Sequence, residues 1–336
     1  MNIYITLDYE LFLGEQTGTP ANCLIRPMNE LCKVADKHNF RYTIFVDAAY
    51  LLRMYQLKDK FVQLAKDYEM VSEHISMLSY HGHDIQLHFH PQWLFSNFIE
   101  GYGWDLQRLP YKLSDMKEEE VFSLFHEAKK LLDGIVDYRT ISFRAGGYCL
   151  TSFTEYKKLF QEEGILIDSS VARGLYTTTP VHSYDYRHIP KKQIYHFDTD
   201  VCIESSNGPF TELSISTVSW SGVRYMTMVR PRMASYNPLV KYADGKSIVD
   251  NKSRRQNSIV SKVSKFFKPY RDLASIDGIR SCQLDYIFDE VENSGQKDIV
   301  LIGHPKLVSD ASVKNLDTFI AKCKNDIFRT TKDLLI

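Results

Sequence analysis

The sequence predicts an α/β protein whose core is a largely parallel sheet. Short β-rich runs alternate with longer segments in which apolar residues recur at helical spacing. Repeated strand-then-helix units of this kind imply parallel strands. The chain has 336 residues and shows neither an internal repeat nor a low-complexity segment. Such a sheet is either doubly wound or closed into a barrel, and both arrangements place helices against it.

The predicted elements follow one another along most of the chain. Strands are predicted for short runs rich in β-branched and aromatic residues, at 3–7, 42–46, 84–89, 140–143, 165–167 and 299–302. Helices are predicted for segments with helical apolar spacing, at 28–37, near 58–66, around 71–80, and at 118–132, 153–163, 284–292 and 313–323.

The middle of the chain is less regular. Residues 212–217 and 223–229 resemble strands, whereas the polar stretch 242–258 resembles a loop. We therefore expect one domain over residues 1–336. Within it, residues 177–280 are predicted to be an insertion or a region that shapes the substrate end of the site.

Composition narrows the classes of function and the compartment. Basic and acidic residues number 41 and 42, so the protein has no strong overall field and nucleic acid is a poor partner. Residues 1–8 resemble a first strand and not an export signal. No apolar run is long enough to span a bilayer. The six cysteines lack CxxC spacing, which is typical of free thiols in a reducing compartment. These features predict a cytoplasmic protein.

Ionisable residues follow the predicted strands at the points where the strands end. In an α/β barrel the catalytic groups come from the carboxyl ends of the strands and the loops after them. At these positions the sequence has Asp8 and Glu10, His88 and His90, Arg144, Asp168 and His304. Their repetition at five strand ends indicates a site, although each alone would be weak evidence.

His88 and His90 give the sharpest signal. Residues two apart in an extended strand share a face, so both imidazoles can point the same way. Two imidazoles and a carboxylate, from Glu10 or Asp8, suit zinc or a similar divalent ion with positions left open for water and substrate. The alternative is a pair of hydrogen-bonded histidines at a barrel rim.

The other strand-end residues suggest acid–base roles. One carboxylate of Asp8 and Glu10 can bind the metal while the other takes a proton from water, although the pair can also cap its loop. His304 is a candidate general acid, or a rim histidine. Asp168 can hold that imidazole charged, or form a local turn with the serines after it. Arg144 can orient Asp8 or its partner acid by a bidentate pair, or make a structural salt bridge.

The order of these motifs resembles that of the polysaccharide deacetylase family (carbohydrate esterase family 4). The similar segments are Thr6-Leu7-Asp8-Tyr9-Glu10, His88-Phe89-His90-Pro91, Phe143-Arg144-Ala145-Gly146-Gly147-Tyr148, Asp168-Ser169-Ser170-Val171 and Ile302-Gly303-His304-Pro305-Lys306. The run at residues 41–46 also resembles that family's second strand. The resemblance implies a distorted (β/α) barrel with fewer than eight regular repeats.

The resemblance also implies a role for each residue. Asp8 would be the catalytic base and His304 the general acid, with Arg144 near the base and Asp168 as the aspartate of the fourth motif. Glu10, His88 and His90 would bind the metal. Two departures stand out: Tyr9 separates the two acids, and Gln92 stands where the family has its second histidine. His81 and His83 are reserve ligands.

The resemblance implies an amide hydrolase that removes an acyl group, such as N-acetyl, from an amino sugar during polysaccharide assembly. A glycoside hydrolase on a related barrel is an alternative, although it needs no metal. A sugar-binding protein without catalysis is another. The basic residues of 252–271 could dock on an anionic membrane surface, or bind the phosphates of a lipid-linked or nucleotide-linked sugar. Alternatively, they form a solvated helix face.

Overall fold

The structure is a computed structural model that describes residues 1–150, 152–179, 181–224, 240–246 and 270–335. The helices are α1 (Arg26–His38), α2 (Ala48–Leu57), α3 (Val62–Tyr80), α4 (Glu118–Val136), α5 (Lys157–Glu163), α6 (Leu284–Asn293) and α7 (Asp310–Lys322). Short helical turns lie at Ala21–Ile25, Pro91–Phe95, Leu113–Asp115, Gly146–Tyr148, Phe153–Glu155, Gly222–Arg224, Gly278–Gln283, Pro305–Leu307 and Thr331–Leu335.

Most strands belong to one mixed sheet. The strands are β1 (Asn2–Tyr9), β2 (Thr43–Asp47), β3 (Asp84–Phe89), β4 (Asn97–Ile99), β5 (Gly103–Asp105), β6 (Ser142–Ala145), β7 (Ile167–Asp168), β8 (Tyr176–Thr178), β9 (Ser183–Asp185), β10 (Ile194–Phe197), β11 (Phe210–Leu213), β12 (Thr217–Trp220), β13 (Tyr270–Leu273), β14 (Asp298–Gly303) and β15 (Ile327–Arg329). Among the described residues the main sheet has nine strands, ordered β10-β11-β7-β6-β3-β2-β1-β14, with β15 also on β1.

The strand order is that of a barrel. From β1 to β11 the parallel strands follow one another in chain order around the sheet, and β14 returns to pair with β1. A doubly wound sheet would instead reverse direction at its centre. The seam between β11 and β14 is partly closed by the segment after β11, because Ser216 N–H donates to Val300 O at 3.0 Å. The α/β fold is thus a nearly closed, distorted (β/α) barrel, as predicted.

Residues of each strand alternate between the inside of the barrel and the helices around it. Ile3, Ile5 and Leu7 of β1 pack in the large core with residues of the helices. Tyr4 instead packs with Ile167, Leu213 and Val300 in a separate inner cluster. Continuing this alternation puts Thr6, Asp8 and Glu10 on the inner side, so the first strand carries its acids into the barrel mouth.

The amino-terminal end of the barrel is closed by the chain's last turn. Thr331 donates from Oγ1 to Asp84 Oδ2 at 2.7 Å, and its N–H donates to Thr43 Oγ1 at 3.0 Å. Gln86 Nε2 donates to Asp84 Oδ1 at 2.6 Å. These groups hydrogen-bond to one another inside the barrel, at the end opposite the carboxyl ends of the strands, where the predicted site lies.

Most predicted elements are confirmed, with differences in both strands and helices. The strand predicted at 212–217 spans the end of β11 and the start of β12, and the strands β4, β5, β8, β9, β10, β13 and β15 were not predicted. The two helices predicted near 58–66 and 71–80 are one helix, α3, and the helix α2 before it was missed. Asp47 begins α2 by accepting the N–H of Tyr50, a helix-start signal that follows directly on the strand β2. The helix predicted at 153–163 is α5 preceded by a single turn.

The irregular middle contributes strands to the sheet. β10 and β11 come from the range 177–280 and pair antiparallel, while β11 also pairs parallel with β7. Residues 225–229 of the predicted strand 223–229, and most of the loop at 242–258, lie outside the described residues. So does the basic stretch from 252 to 269; Arg271, at its end, lies in β13. The first two residues of the predicted strand 223–229 belong instead to the helical turn Gly222–Arg224. The single-domain prediction and the insertion remain predictions. No described helix is long and apolar enough to cross a membrane.

Candidate metal centre and active site

Glu10, His88 and His90 converge at the mouth of the barrel. Glu10 Oε2 lies 2.7 Å from His90 Nε2 and 3.2 Å from His88 Nε2. One candidate ligand atom from each residue falls within 4.8 Å of the other two. All three side chains are buried. The three residues that the sequence analysis named as metal ligands are therefore brought together.

The ends of neighbouring strands produce this convergence. His88 is the residue of β3 that stands beside Asp47 of β2 and Arg144 of β6. His90 follows two residues later and faces the same way, in extended conformation with φ −113°. A Cβ at Gly146 would come within 2.6 Å of His90 Nδ1, so glycine is needed for the third motif to approach this imidazole.

Hydrogen bonds fix the orientation of His88. Its Nδ1 lies 2.8 Å from the carbonyl oxygen of Arg144, a contact in which Nδ1–H is the donor. Nε2 is then directed at Glu10. This second-sphere arrangement, with one ring nitrogen bonded to a backbone carbonyl and the other aimed at the centre, is typical of metal-binding histidines.

Asp8 is held by Arg144. Arg144 Nη1 donates to Asp8 Oδ1 at 2.6 Å, and Nη2 donates to Thr6 Oγ1 at 2.9 Å. The guanidinium is fully buried and lies over the ring of Phe45 at 4.2 Å. The predicted orienting role of Arg144 thus has a structural basis, but the pair uses one Asp8 oxygen and is not bidentate. Asp8 Oδ2 points instead toward His304 Nε2, at 3.6 Å.

His304 is paired with Asp277. Its Nδ1 lies 2.7 Å from Asp277 Oδ2, and its backbone N–H donates to Asp277 Oδ1 at 2.7 Å. With a side chain 15% exposed, His304 is the most accessible of the site residues described so far, compared with 3% for Asp8 and 7% for Glu10. The imidazole therefore stands at the solvent edge of the site, with Nε2 facing the two acids.

The predicted pairing of Asp168 with His304 is wrong. Ile167 packs inside the barrel, so its neighbour Asp168 faces the other side of the sheet. There Asp168 accepts hydrogen bonds from Ser170 N–H at 2.8 Å and Ser170 Oγ at 2.7 Å. Its neighbour across the strands is Glu212. The structure does not bring Asp168 to the metal candidates, and the turn chemistry of its serines explains its position.

Asp168 and Glu212 form a buried carboxyl pair. Burial raises the pKa of Glu212 well above its usual value, and the neighbouring Asp168 raises it further. Burial also raises the pKa of Asp168, although Glu212 and Ser170 oppose this by hydrogen bonding. Two carboxyl groups in contact do not both ionise, so the pair holds a proton.

The acids at the barrel mouth behave differently. Burial alone would raise the pKa of Asp8, but Arg144 and the neighbouring histidines outweigh it and hold that pKa below its usual value. Burial likewise opposes ionisation of Glu10, whose pKa nevertheless lies well below normal because of Lys306 and His90. Burial tends to lower the pKa of His88, yet the charges of Asp8 and Glu10 raise it to about 9. The ionised carboxylates of Asp8 and Glu10 therefore favour the binding of a cation at the barrel mouth.

Three residues of the site were missed by the sequence analysis. Asp277 lies in the irregular middle and follows no predicted strand, so no sequence signal marked it. Lys306 stood within a quoted motif without a role. Asp47 ends the second strand, and the strand-end rule would have identified it. Asp47 accepts the N–H of His90 through Oδ1 at 3.2 Å, while its Oδ2 has no partner among the described residues.

The reserve ligands lie elsewhere. His83 accepts the N–H of Tyr42 at 3.2 Å and lies before the amino-terminal end of β3. His81 caps the end of α3. Gln92, at the family's second histidine position, is buried in the turn Pro91–Phe95. His90 therefore provides the second imidazole at the mouth.

The donor set fits a divalent cation. A neutral imidazole presents a lone pair, and the Glu10 carboxylate can only accept, so their close approach requires a proton or a metal ion between them. Two imidazoles and one carboxylate are the ligands of catalytic zinc sites that keep an open position. His90 Nδ1 is buried without a partner among the described residues, an orphaned polar atom at the point where an ion would bind.

Comparison with solved structures identifies the fold. A candidate polysaccharide deacetylase from Mycobacterium smegmatis has a TM-score of 0.51 at 14% identity, over 99% of this chain and 88% of that one. A probable polysaccharide deacetylase from Pseudomonas aeruginosa PAO1 has a TM-score of 0.50 at 14% identity, over 99% and 89%. The Puue allantoinase has a TM-score of 0.51 at 13% identity, over 99% and 88%.

No family model matches the sequence, and no curated protein matches it. The chain therefore has the fold of solved polysaccharide deacetylases, as its motifs suggested, at low sequence identity. An allantoinase has the same fold, so the substrate has to be argued from the site.

Proposed function

We propose that this protein is a metal-dependent deacylase that removes an acyl group, N-acetyl in the first instance, from an amino sugar. The observation that carries the proposal is the convergence of Glu10, His88 and His90 beside two further groups. These are the Asp8–Arg144 pair and His304 with Asp277, and Asp8 Oδ2 lies 3.6 Å from His304 Nε2. The order of the motifs and the fold of the structural neighbours support the choice of deacylation.

In this mechanism Glu10, His88 and His90 would hold the ion. A divalent cation bound there, zinc in our proposal, would polarise the amide carbonyl and lower the pKa of a water molecule. Asp8 accepts the proton of the attacking water through Oδ2, since Arg144 occupies Oδ1 and keeps the carboxylate ionised. His304 then donates a proton from Nε2 to the leaving amine.

Asp277 prepares His304 for this role. Burial disfavours the charged imidazole, but Asp277 and, to a lesser extent, Asp8 and Glu10 raise its pKa above the usual value. The bond to Nδ1 also directs Nε2 toward the acids. Attack and proton delivery would thus come from adjacent groups, Asp8 and His304, whose Oδ2 and Nε2 lie 3.6 Å apart.

A glycoside hydrolase is the second candidate, because the mouth carries more than one carboxylate. It would need one acid protonated and one ionised. The pKa values of Asp8 and Glu10 are both lowered, so neither is prepared to donate a proton. Burial raises the pKa of Asp47, but this side chain is 1% exposed and accepts the backbone N–H of His90, so it is not accessible to a glycosidic oxygen. Deacylation uses Asp8 and Glu10 in their ionised form. A cytoplasmic location and a carrier-linked sugar remain predictions of the sequence.

The test is release of acetate from oligomers of N-acetylglucosamine by chelator-treated protein, before and after addition of zinc, cobalt or nickel. We expect acetate release only with metal, and its loss in Asp8→Asn with the ion still bound. His83→Ala, a buried histidine away from the mouth, is the matched control and should remain active.

Other outcomes distinguish the alternatives. New reducing ends without acetate, independent of metal, would indicate a glycosidase. Binding of the oligomers with neither product would indicate a sugar-binding protein. If the metal-loaded protein released neither acetate from acetylated sugars nor formate from formylated sugars, the proposed function would be contradicted.

A further inference from the structure

Lys306 lies beside the proposed metal ligand Glu10 and has no role in the mechanism above. It belongs to the turn Pro305–Leu307 after β14, two residues beyond His304. Its side chain is 8% exposed, and Nζ donates to Glu10 Oε1 at 2.7 Å. A buried ammonium next to a cation site is electrostatically unfavourable, so its presence needs an explanation.

The second contact of Lys306 is with the backbone. Nζ also donates to the carbonyl oxygen of Leu11 at 2.8 Å and lies 5.3 Å from the centre of the Phe12 ring. The lysine thus joins two loops. One follows β1 and carries Glu10, and the other follows β14 and carries His304. Its hydrogen bonds fix these loops relative to each other.

The two oxygens of Glu10 are divided between different partners. Oε1 is taken by Lys306, whereas Oε2 faces the Nε2 atoms of His88 and His90. A carboxylate with both oxygens free can bind an ion through both of them. A carboxylate whose second oxygen is hydrogen-bonded to an ammonium presents one oxygen to the ion and leaves a coordination position open for water or substrate.

We propose that Lys306 is a positioning residue that restricts Glu10 to one-oxygen ligation and so keeps a coordination position open at the metal centre. The inference rests on the proposed function. Lys306 touches neither the ligand imidazoles nor, in the mechanism, the substrate; it acts through Glu10. Its ammonium weakens ion binding by charge repulsion, but it leaves a coordination position open for the water or substrate that turnover requires.

The experiment compares wild type, Lys306→Met and Lys306→Arg after cobalt substitution. Visible absorption of Co²⁺ reports coordination number, being intense for four ligands and weak for six. We expect weaker absorption and tighter Co²⁺ binding in Lys306→Met, because Glu10 then binds through both oxygens without the opposing charge. Turnover should fall about 10- to 100-fold through kcat. Lys306→Arg should restore much of the wild-type spectrum.

The matched control is Lys129→Met. Lys129 is another buried lysine, paired with Asp133 at 2.6 Å on α4, and its removal should leave the cobalt spectrum unchanged. A merely structural role for Lys306 would lower metal affinity and turnover together.

Three results are decisive. A folded Lys306→Met with wild-type spectrum, affinity and kcat would overturn the inference while leaving the proposed function intact. A six-coordinate spectrum in the wild type would also overturn it, whether or not the variant folds. Failure of the wild type to bind cobalt or zinc would instead remove the metal centre itself.

Discussion

Both ends of the barrel bury polar side chains, but the two ends differ in how completely these side chains are hydrogen-bonded. At the amino-terminal end, Asp84 and Thr331 satisfy each other with Thr43 and Gln86. At the carboxyl end, His90 Nδ1 and Asp47 Oδ2 have no partner among the described residues, and Glu10 lies against two imidazoles. Buried polar groups are normally satisfied. The first arrangement therefore stabilises the fold, and the second is prepared for a ligand.

The difference predicts that changes at the two ends separate chemistry from stability. Replacing an incompletely satisfied group at the carboxyl end, such as the imidazole of His90, should impair turnover with little loss of stability, because few hydrogen bonds are lost with it. A change at the amino-terminal end should destabilise the protein and leave turnover per folded molecule intact.

The largest effect is expected for His304→Ala. Loss of the general acid should lower kcat by about 10²- to 10⁴-fold, because the leaving amine would depart without a proton. The ion should remain bound, since His304 is not among the three converging ligands. Kinetics with the metal-loaded variant, together with its metal content, provide the measurement. Normal turnover would remove His304 as the acid.

At the opposite end, Asp84→Ala should lower the free energy of unfolding by about 3 kcal/mol or more, because several buried donors lose their acceptor. Urea denaturation measures this. Turnover per folded molecule should match that of wild type. A variant that is as stable as wild type would show that the closing network of Thr331 contributes little.

A smaller effect is expected for Asp277→Asn, which keeps the size of the side chain but removes its charge. The pKa of His304 is raised because Asp277 outweighs its burial, so the variant's imidazole should lose its proton at lower pH. We expect kcat to fall about 10- to 100-fold and the alkaline limb of the pH–rate profile to move to lower pH. An unmoved limb would exclude this role for Asp277.

The smallest effect concerns Glu212, on the outer face of the sheet. Burial raises its folded-state pKa, so its stabilising contribution is present below the unfolded-state pKa and is lost as pH rises through the folded-state value. Glu212→Gln keeps a hydrogen-bond donor for Asp168 without titrating. Its unfolding free energy should therefore decline less than that of wild type as pH rises, in urea denaturation series at several pH values.

The strand-end pattern explains why much of the site was predictable. Asp8, His88 and Arg144 lie at strand ends whose alternation is fixed by the core, so adjacency along the sheet follows from the barrel order. Asp277 was not predictable in this way, because no strand was predicted before it. In the structure Ser275 bridges Ile302 of β14 in parallel, which brings Asp277, two residues later, beside His304. Asp168 was misplaced because its strand, β7, is only two residues long and the predicted strand did not establish which face it used.

The fold was more predictable than its helix boundaries. The strand β3 matched its predicted bounds because its residues favour extended structure and polar turn residues flank it. α2 was missed because it follows β2 without a turn, with Asp47 serving both as the strand end and as the helix cap. The spacing of apolar residues shows no clear change between the end of β2 and the start of α2.

The most direct test of the account is the metal content of the purified protein and of His88→Ala, measured by elemental mass spectrometry after loosely held ions are removed. We predict about one zinc-like ion per chain in the wild type and in the control His83→Ala, and its loss in His88→Ala. A wild-type protein that holds no ion, even after incubation with zinc, cobalt or nickel, would contradict the account.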